Sequence, residues 1–128
     1  MPEAKSASGK KRILIVEDEH PLAHALELKL GHEGFETTVC ATGKAGLEEG
    51  LKGGHDLILL DLILPEMDGF SVIAGLQEQH IKTPIIILSN LGQDEDRKKA
   101  QDMGVVAYLI KSNAPLAEIL EVIKKTLS

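Results

Sequence analysis

Three apolar runs punctuate the chain, at residues 13–16, 57–60 and 85–88. Each is continuous in Ile, Leu and Val. A strand with one wet face alternates apolar and polar residues; a strand covered on both faces does not. The runs therefore predict strands buried inside a parallel sheet, and parallel neighbours need crossover helices rather than tight hairpins. Two weaker runs, 37–40 and 105–110, fit the same role.

Helical patterns fill the gaps. Leu22, Leu26 and Leu30 repeat at i, i+4, with Pro21 tolerable in the first turn and Gly31 and Gly34 marking the end. Further helices are expected over 44–51, closed by Gly53 and Gly54, over 70–79 with Asp68 as N-cap, and over 93–103 with Gly104 as the C′ residue. Leu116, Ile119, Leu120, Ile123 and Leu127 give a last helix one apolar face. The expectation is an α/β fold: one doubly wound parallel sheet of five β–α units, a single domain over 12–128. Residues 1–11, MPEAKSASGKK, are expected to be a disordered N-terminal tail.

Composition narrows the function. Aromatics are 2% of the chain, namely Phe35, Phe70 and Tyr108, so the core must be aliphatic, and their scarcity argues against a stacking platform for single-stranded nucleic acid. A formal charge of −6 argues against a duplex-binding surface. The single cysteine, Cys40, rules out an internal disulfide and a Cys-based zinc site and fits a reducing, cytoplasmic setting. No apolar run is long enough to span a membrane, and no signal-peptide core stands at the N-terminus. His20 and His24 stand four apart without the Glu of a zinc-protease helix. The surroundings of Gly43-Lys44 lack the first glycine of a phosphate loop, and no G-x-S-x-G elbow is present.

In open α/β sheets ligands bind outside the carboxyl ends of the strands. The predicted strands end in Glu17-Asp18-Glu19, Asp61, Ser89-Asn90 and Lys111. Asp61 follows four apolar residues, where a carboxylate has no packing role. Clustered carboxylates repel unless neutralised. Oxygen ligands of this kind suit Mg²⁺ better than zinc, with Mn²⁺ as the alternative ion. Lys111 reads as a fixed cation for Asp61 and a later phosphoryl oxygen, and Ser89 as a hydrogen-bond donor to that oxygen.

The segments Val16-Glu17-Asp18-Glu19, Asp61-Leu-Ile-Leu-Pro65-Glu-Met-Asp68-Gly69, Ile87-Leu-Ser89 and Tyr108-Leu-Ile-Lys111 resemble the receiver domain of two-component response regulators, over about residues 11–127. The resemblance implies a flavodoxin-like (βα)5 sheet of strand order 2-1-3-4-5. It implies that Asp61 is the phosphoacceptor. Asp18 becomes the main metal-ligating acid, Glu17 its neighbour, and the Ile63 backbone carbonyl completes the Mg²⁺ site. Ser89 and Tyr108 become the switch pair, and Lys111 the phosphate-binding lysine. The implied donor is a sensor histidine kinase or a histidine phosphotransfer protein. The implied output acts on a downstream effector, without direct nucleic-acid or membrane binding. Such a domain assists its own phosphorylation and dephosphorylation but is not an enzyme in its own right.

Ser112 follows Lys111 where family members often carry proline, so a trans bond is expected there. Ile63 and Leu91 stand two residues after Asp61 and Ser89, where apolar side chains should hinder a hydrolytic water and lengthen the life of the phosphoaspartate. From Gln93 to Gln101 only Ala100 is apolar, which fits a solvated helix face and also a thinly anchored helix expected to be the mobile part of a switch. Val122 lies off the apolar stripe of the last helix, a candidate for a phosphorylation-dependent homodimer face. No effector domain follows that helix, so the chain either works through its own surface or is excised from a longer transcription factor or hybrid kinase. The alternative in another class is a small Mg-dependent phosphohydrolase that turns over on Asp61. Those enzymes place a general acid where Ile63 stands.

Overall fold

The computed structural model describes residues 9–128. The expectation for the tail falls outside the described residues except at 9–11, which form neither helix nor strand. Strands and helices alternate: β1 (Arg12–Val16), α1 (His20–His32), β2 (Glu36–Cys40), α2 (Gly43–Leu51), β3 (Leu57–Leu60), α3 (Gly69–Glu78), β4 (Ile85–Ser89), α4 (Asp94–Asp102), β5 (Ala107–Ile110) and α5 (Leu116–Leu127). A single 3₁₀ turn, Lys111–Asn113, joins β5 to α5. All strand pairings are parallel, in the order β2-β1-β3-β4-β5.

The continuous runs occupy the middle of the sheet. Every residue of β3 and β4 is buried, whereas the edge strands β2 and β5 are half-buried throughout. Side chains of alternate strand positions feed two cores. One holds Ile13, Ile15, Leu57, Leu59, Ile86 and Leu88 against α1 and α5; the other holds Leu14, Val16, Ile58, Leu60 and Ile87 against α3 and Ala100 of α4. Tyr108 and Phe70 join the second core only at its margin, so both cores are aliphatic as composition required.

Local chemistry sets the element ends. Asp68 accepts the Ser71 amide at 3.0 Å as the N-cap of α3, and Gly104 takes a positive φ beyond α4. Pro21 sits in the first turn of α1, while Gly31 lies inside that helix and the chain turns at Gly34. The run 105–110 is only partly a strand. Val105 and Val106 belong to the connection before β5, and Val106 is exposed. Val122 is half-buried and packs against the first core. The described backbone has no cis peptide bond, in line with the trans expectation at Ser112. His55, in the connection before β3, is buried, with Nε2 3.0 Å from Glu49 and Nδ1 without a partner.

The loop after β3 is pinned from both sides. The Gly69 amide donates to the Leu62 carbonyl and the Gly43 amide to the Pro65 carbonyl, at 2.9 and 3.1 Å. A Cβ on Gly69 would press on the Asp61 carbonyl and lie 2.7 Å from Leu62 Cα, both backbone atoms that cannot yield cheaply. Gly69→Ala should therefore cost about 2–3 kcal/mol, read as a fall in the urea midpoint. Gly31→Ala, whose added methyl meets nothing, should leave the midpoint unchanged or raise it.

Candidate functional site

The sheet ladder continues one residue past two strand ends and fixes the acids there. The Glu17 amide donates to the Cys40 carbonyl at 3.0 Å, and the Asp61 amide to the Val16 carbonyl at 3.1 Å. Among the described residues the buried polar or charged ones are Glu17, His55, Asp61 and Ser89. Three of these four stand at the carboxyl edge of the sheet, where burial of charge demands a partner.

Lys111 is that partner. Its Nζ lies 2.7 Å from Asp61 Oδ2 and 3.0 Å from the Glu17 carboxylate, and it also donates to Glu19 Oε2. Burial alone would pull the ammonium down, but its bonds to Asp61, Glu19 and Glu17 outweigh that and hold it well above its ordinary range. Glu17 is raised too, which here disfavours its charged form. Burial, with Asp61 adding to it, pushes its carboxyl up against the opposing effects of the Glu19 amide and Lys111. One ammonium faces three carboxylates, so the cluster keeps an excess of negative charge.

The carboxylate oxygens of Glu17, Glu19 and Asp61 lie within 4.8 Å of one another. Asp18 is not in this group. It lines a cavity of about 220 Å³ together with Glu19, Asp61, Ile63, Asn90 and Lys111. The chain bends at Asp18, and Glu17 and Glu19 on either side of it both hold Lys111 while Asp18 does not. Glu19 and Asn90 had no assigned role in the sequence. Asn90 Oδ1 accepts the Ser112 amide at 3.0 Å and so ties the two loops flanking the site.

The donor set fits a hard divalent cation. Glu17 and Asp61, with Asp18 on the cavity wall, are all-oxygen donors short of positive charge, which suits Mg²⁺ with water completing its shell. Ile63 lines the cavity, and its amide donates to Asp61 Oδ1 at 3.1 Å.

Ser89 and Tyr108 meet at one residue. Ser89 Oγ accepts the Leu91 amide at 3.3 Å, and the Tyr108 hydroxyl donates to the Leu91 carbonyl. The Tyr108 ring is already half-buried in this structure, with the Arg97 guanidinium of α4 5.2 Å from its centroid. Burial, reinforced by Asp96, pushes its phenol up. Leu91 packs against the second core and not into the cavity, so of the two apolar residues expected to hinder water only Ile63 lines the site. Ala100 is the one buried residue of α4, as its composition implied.

Comparisons with known proteins agree with this geometry. A family model described as the response regulator receiver domain matches residues 13–124. The response regulator ArlR of Staphylococcus saprophyticus is 41% identical over 100 residues, covering 78% of this chain and 45% of that protein. An uncharacterized transcriptional regulatory protein of Bacillus subtilis, YkoG, is 37% identical over 102 residues, 80% of this chain and 45% of its own length. The chain thus spans less than half of these relatives. A CheY-like receiver domain protein from Methanospirillum hungatei superposes with a TM-score of 0.86 at 28% identity, over 92% of this chain and 94% of that one. The BeF3-activated N-terminal receiver domain of Klebsiella pneumoniae RstA gives 0.83 at 27% identity, over 91% and 98%. Among the described residues no helix is long and apolar enough to cross a membrane. With five parallel strands in the order 2-1-3-4-5 and a buried acid–lysine cluster at their carboxyl edge, the chain belongs to the response regulator receiver domain family.

Proposed function

We propose that Asp61 accepts a phosphoryl group from a phosphohistidine, supplied by a sensor histidine kinase or a histidine phosphotransfer protein. The observation that carries this is the Lys111 ammonium, 2.7 Å from a buried aspartate that opens onto a solvent cavity. The Asp61 carboxylate attacks phosphorus as the bond to the donor nitrogen breaks. Lys111 offsets the negative charge on the transferred oxygens. Glu17, Asp18, Asp61 and the Ile63 carbonyl are the groups assigned to hold Mg²⁺, which supplies positive charge to the phosphoryl oxygens when bound. The Mg dependence is tested by adding a small acyl phosphate with and without a chelator. One equivalent taken up per chain supports a receiver; many turnovers point to a hydrolase.

The output follows from Leu91. If Ser89 turns its hydroxyl to a phosphoryl oxygen, the Leu91 amide loses its acceptor. Tyr108 grips the carbonyl of that same residue, and Arg97 extends the contact to α4. A charge added at Asp61 is thereby passed to the β4–α4 loop and onward to a downstream effector.

Hydrolysis needs a water in line with phosphorus, and Ile63 offers it no hydrogen bond at the cavity wall. The phosphoaspartate is expected to last minutes to hours. Ile63→Gln should shorten that life several-fold and Leu91→Ala much less, followed by phosphate release.

A further inference from the structure

Lys111 has three N–H donors, and three carboxylates already take them. A phosphoryl oxygen can be bound only if one carboxylate lets go. The three are not equal. The Glu17 and Asp61 side chains are 3% and 4% exposed, whereas that of Glu19 is 57% exposed. Water can solvate the Glu19 carboxylate as it leaves, which it cannot do for the other two.

Glu19 also has somewhere else to go. It occupies the N-cap position of α1, with extended backbone, yet its side chain makes no capping bond. Its carbonyl already accepts the Ala23 amide at 3.0 Å, so the helix start is in place. An N-cap side chain can take the amide of the second or third helical residue. The second is Pro21, which has none, so Leu22 is the available donor. A carboxylate there also meets the positive end of the helix.

We infer that Glu19 is a releasable latch on Lys111, a positioning residue that occupies the third ammonium donor at rest and turns to the Leu22 amide when a phosphoryl oxygen takes its place. The latch rests on the phosphoacceptor reading of Asp61 and adds to it a resting brake on the reaction.

The test compares the native chain with Glu19→Gln and Glu19→Ala, using acetyl phosphate as donor at saturating Mg²⁺. Removing an exposed competing ion pair should raise the rate of phosphoryl uptake about three- to fivefold. Amide hydrogen exchange gives a readout apart from the rate. Phosphorylation should slow exchange at Leu22 in the native chain and not in Glu19→Ala. Uptake by Glu19→Gln no faster than native overturns the latch, as does Leu22 exchange that phosphorylation leaves unchanged. Slower uptake with weaker Mg²⁺ binding by calorimetry also overturns it, by making Glu19 a metal ligand. Native labelling that is lost in Asp61→Asn reports separately on the phosphoacceptor itself.

Discussion

Asp61→Asn should lose all phosphoryl uptake while keeping the fold. The amide oxygen is no nucleophile toward phosphorus, and no other carboxylate in the cavity is set as Asp61 is, with Lys111 at 2.7 Å on one oxygen and the Ile63 amide at 3.1 Å on the other. Asparagine still offers one acceptor to those donors. It also removes one of three carboxylates crowded around a single ammonium, and Asp61 is one of the groups that push Glu17 up. The loss of the ion pair and the relief of repulsion oppose each other, so stability should change by less than about 1 kcal/mol. A thermal melt that stays within a few degrees of native, beside zero labelling, is the expected pair of results.

Lys111→Met should damage both uptake and stability. It removes the cation from two buried carboxylates, and stranding buried charge in this way costs about 3–5 kcal/mol. The sign of the pH dependence follows from two groups. The ammonium is held above its ordinary value of 10.5, so its contribution is whole at neutral pH and fades only as pH rises through the raised value. Glu17 is an acid pushed up by burial. Its cost is fully present above its raised value and gone below its ordinary value of 4.5. Without Lys111 that acid moves higher still, so the deficit of the variant should shrink as pH falls from neutrality toward the ordinary value of 4.5. Mg²⁺ at a hundred times its dissociation constant should restore about 2.7 kcal/mol, measured as a shift in the urea midpoint. A variant as stable as native at pH 7 without Mg²⁺ would mean that the ammonium does not neutralise the cluster.

Much of the fold could be read from residue pattern because buried parallel strands are written as unbroken aliphatic runs. Runs 57–60 and 85–88 lost at most one residue to error, since both faces of β3 and β4 are covered. The run 105–110 misled because β5 lies at the sheet edge, where burial no longer selects for side-chain type and Val106 stands exposed in a connection. Asp61, Lys111, Glu17 and Ser89 were legible as polar residues ending apolar runs, and the structure gathers them at one edge. Glu19 was hidden because spacing says which residues are near a strand end but not which side chains converge. Leu91 was hidden for another reason. Its backbone, not its side chain, joins Ser89 to Tyr108, and backbone hydrogen bonding leaves no mark on residue type.

The most direct measurement is the intact mass of the chain after incubation with an acyl phosphate and Mg²⁺, followed by peptide mapping. The expected result is one phosphoryl group per chain, on the peptide carrying Asp61, absent without the metal and absent in Asp61→Asn. Labelling that persists in Asp61→Asn, or that maps to another residue, would contradict the assignment of this site as a phosphoacceptor.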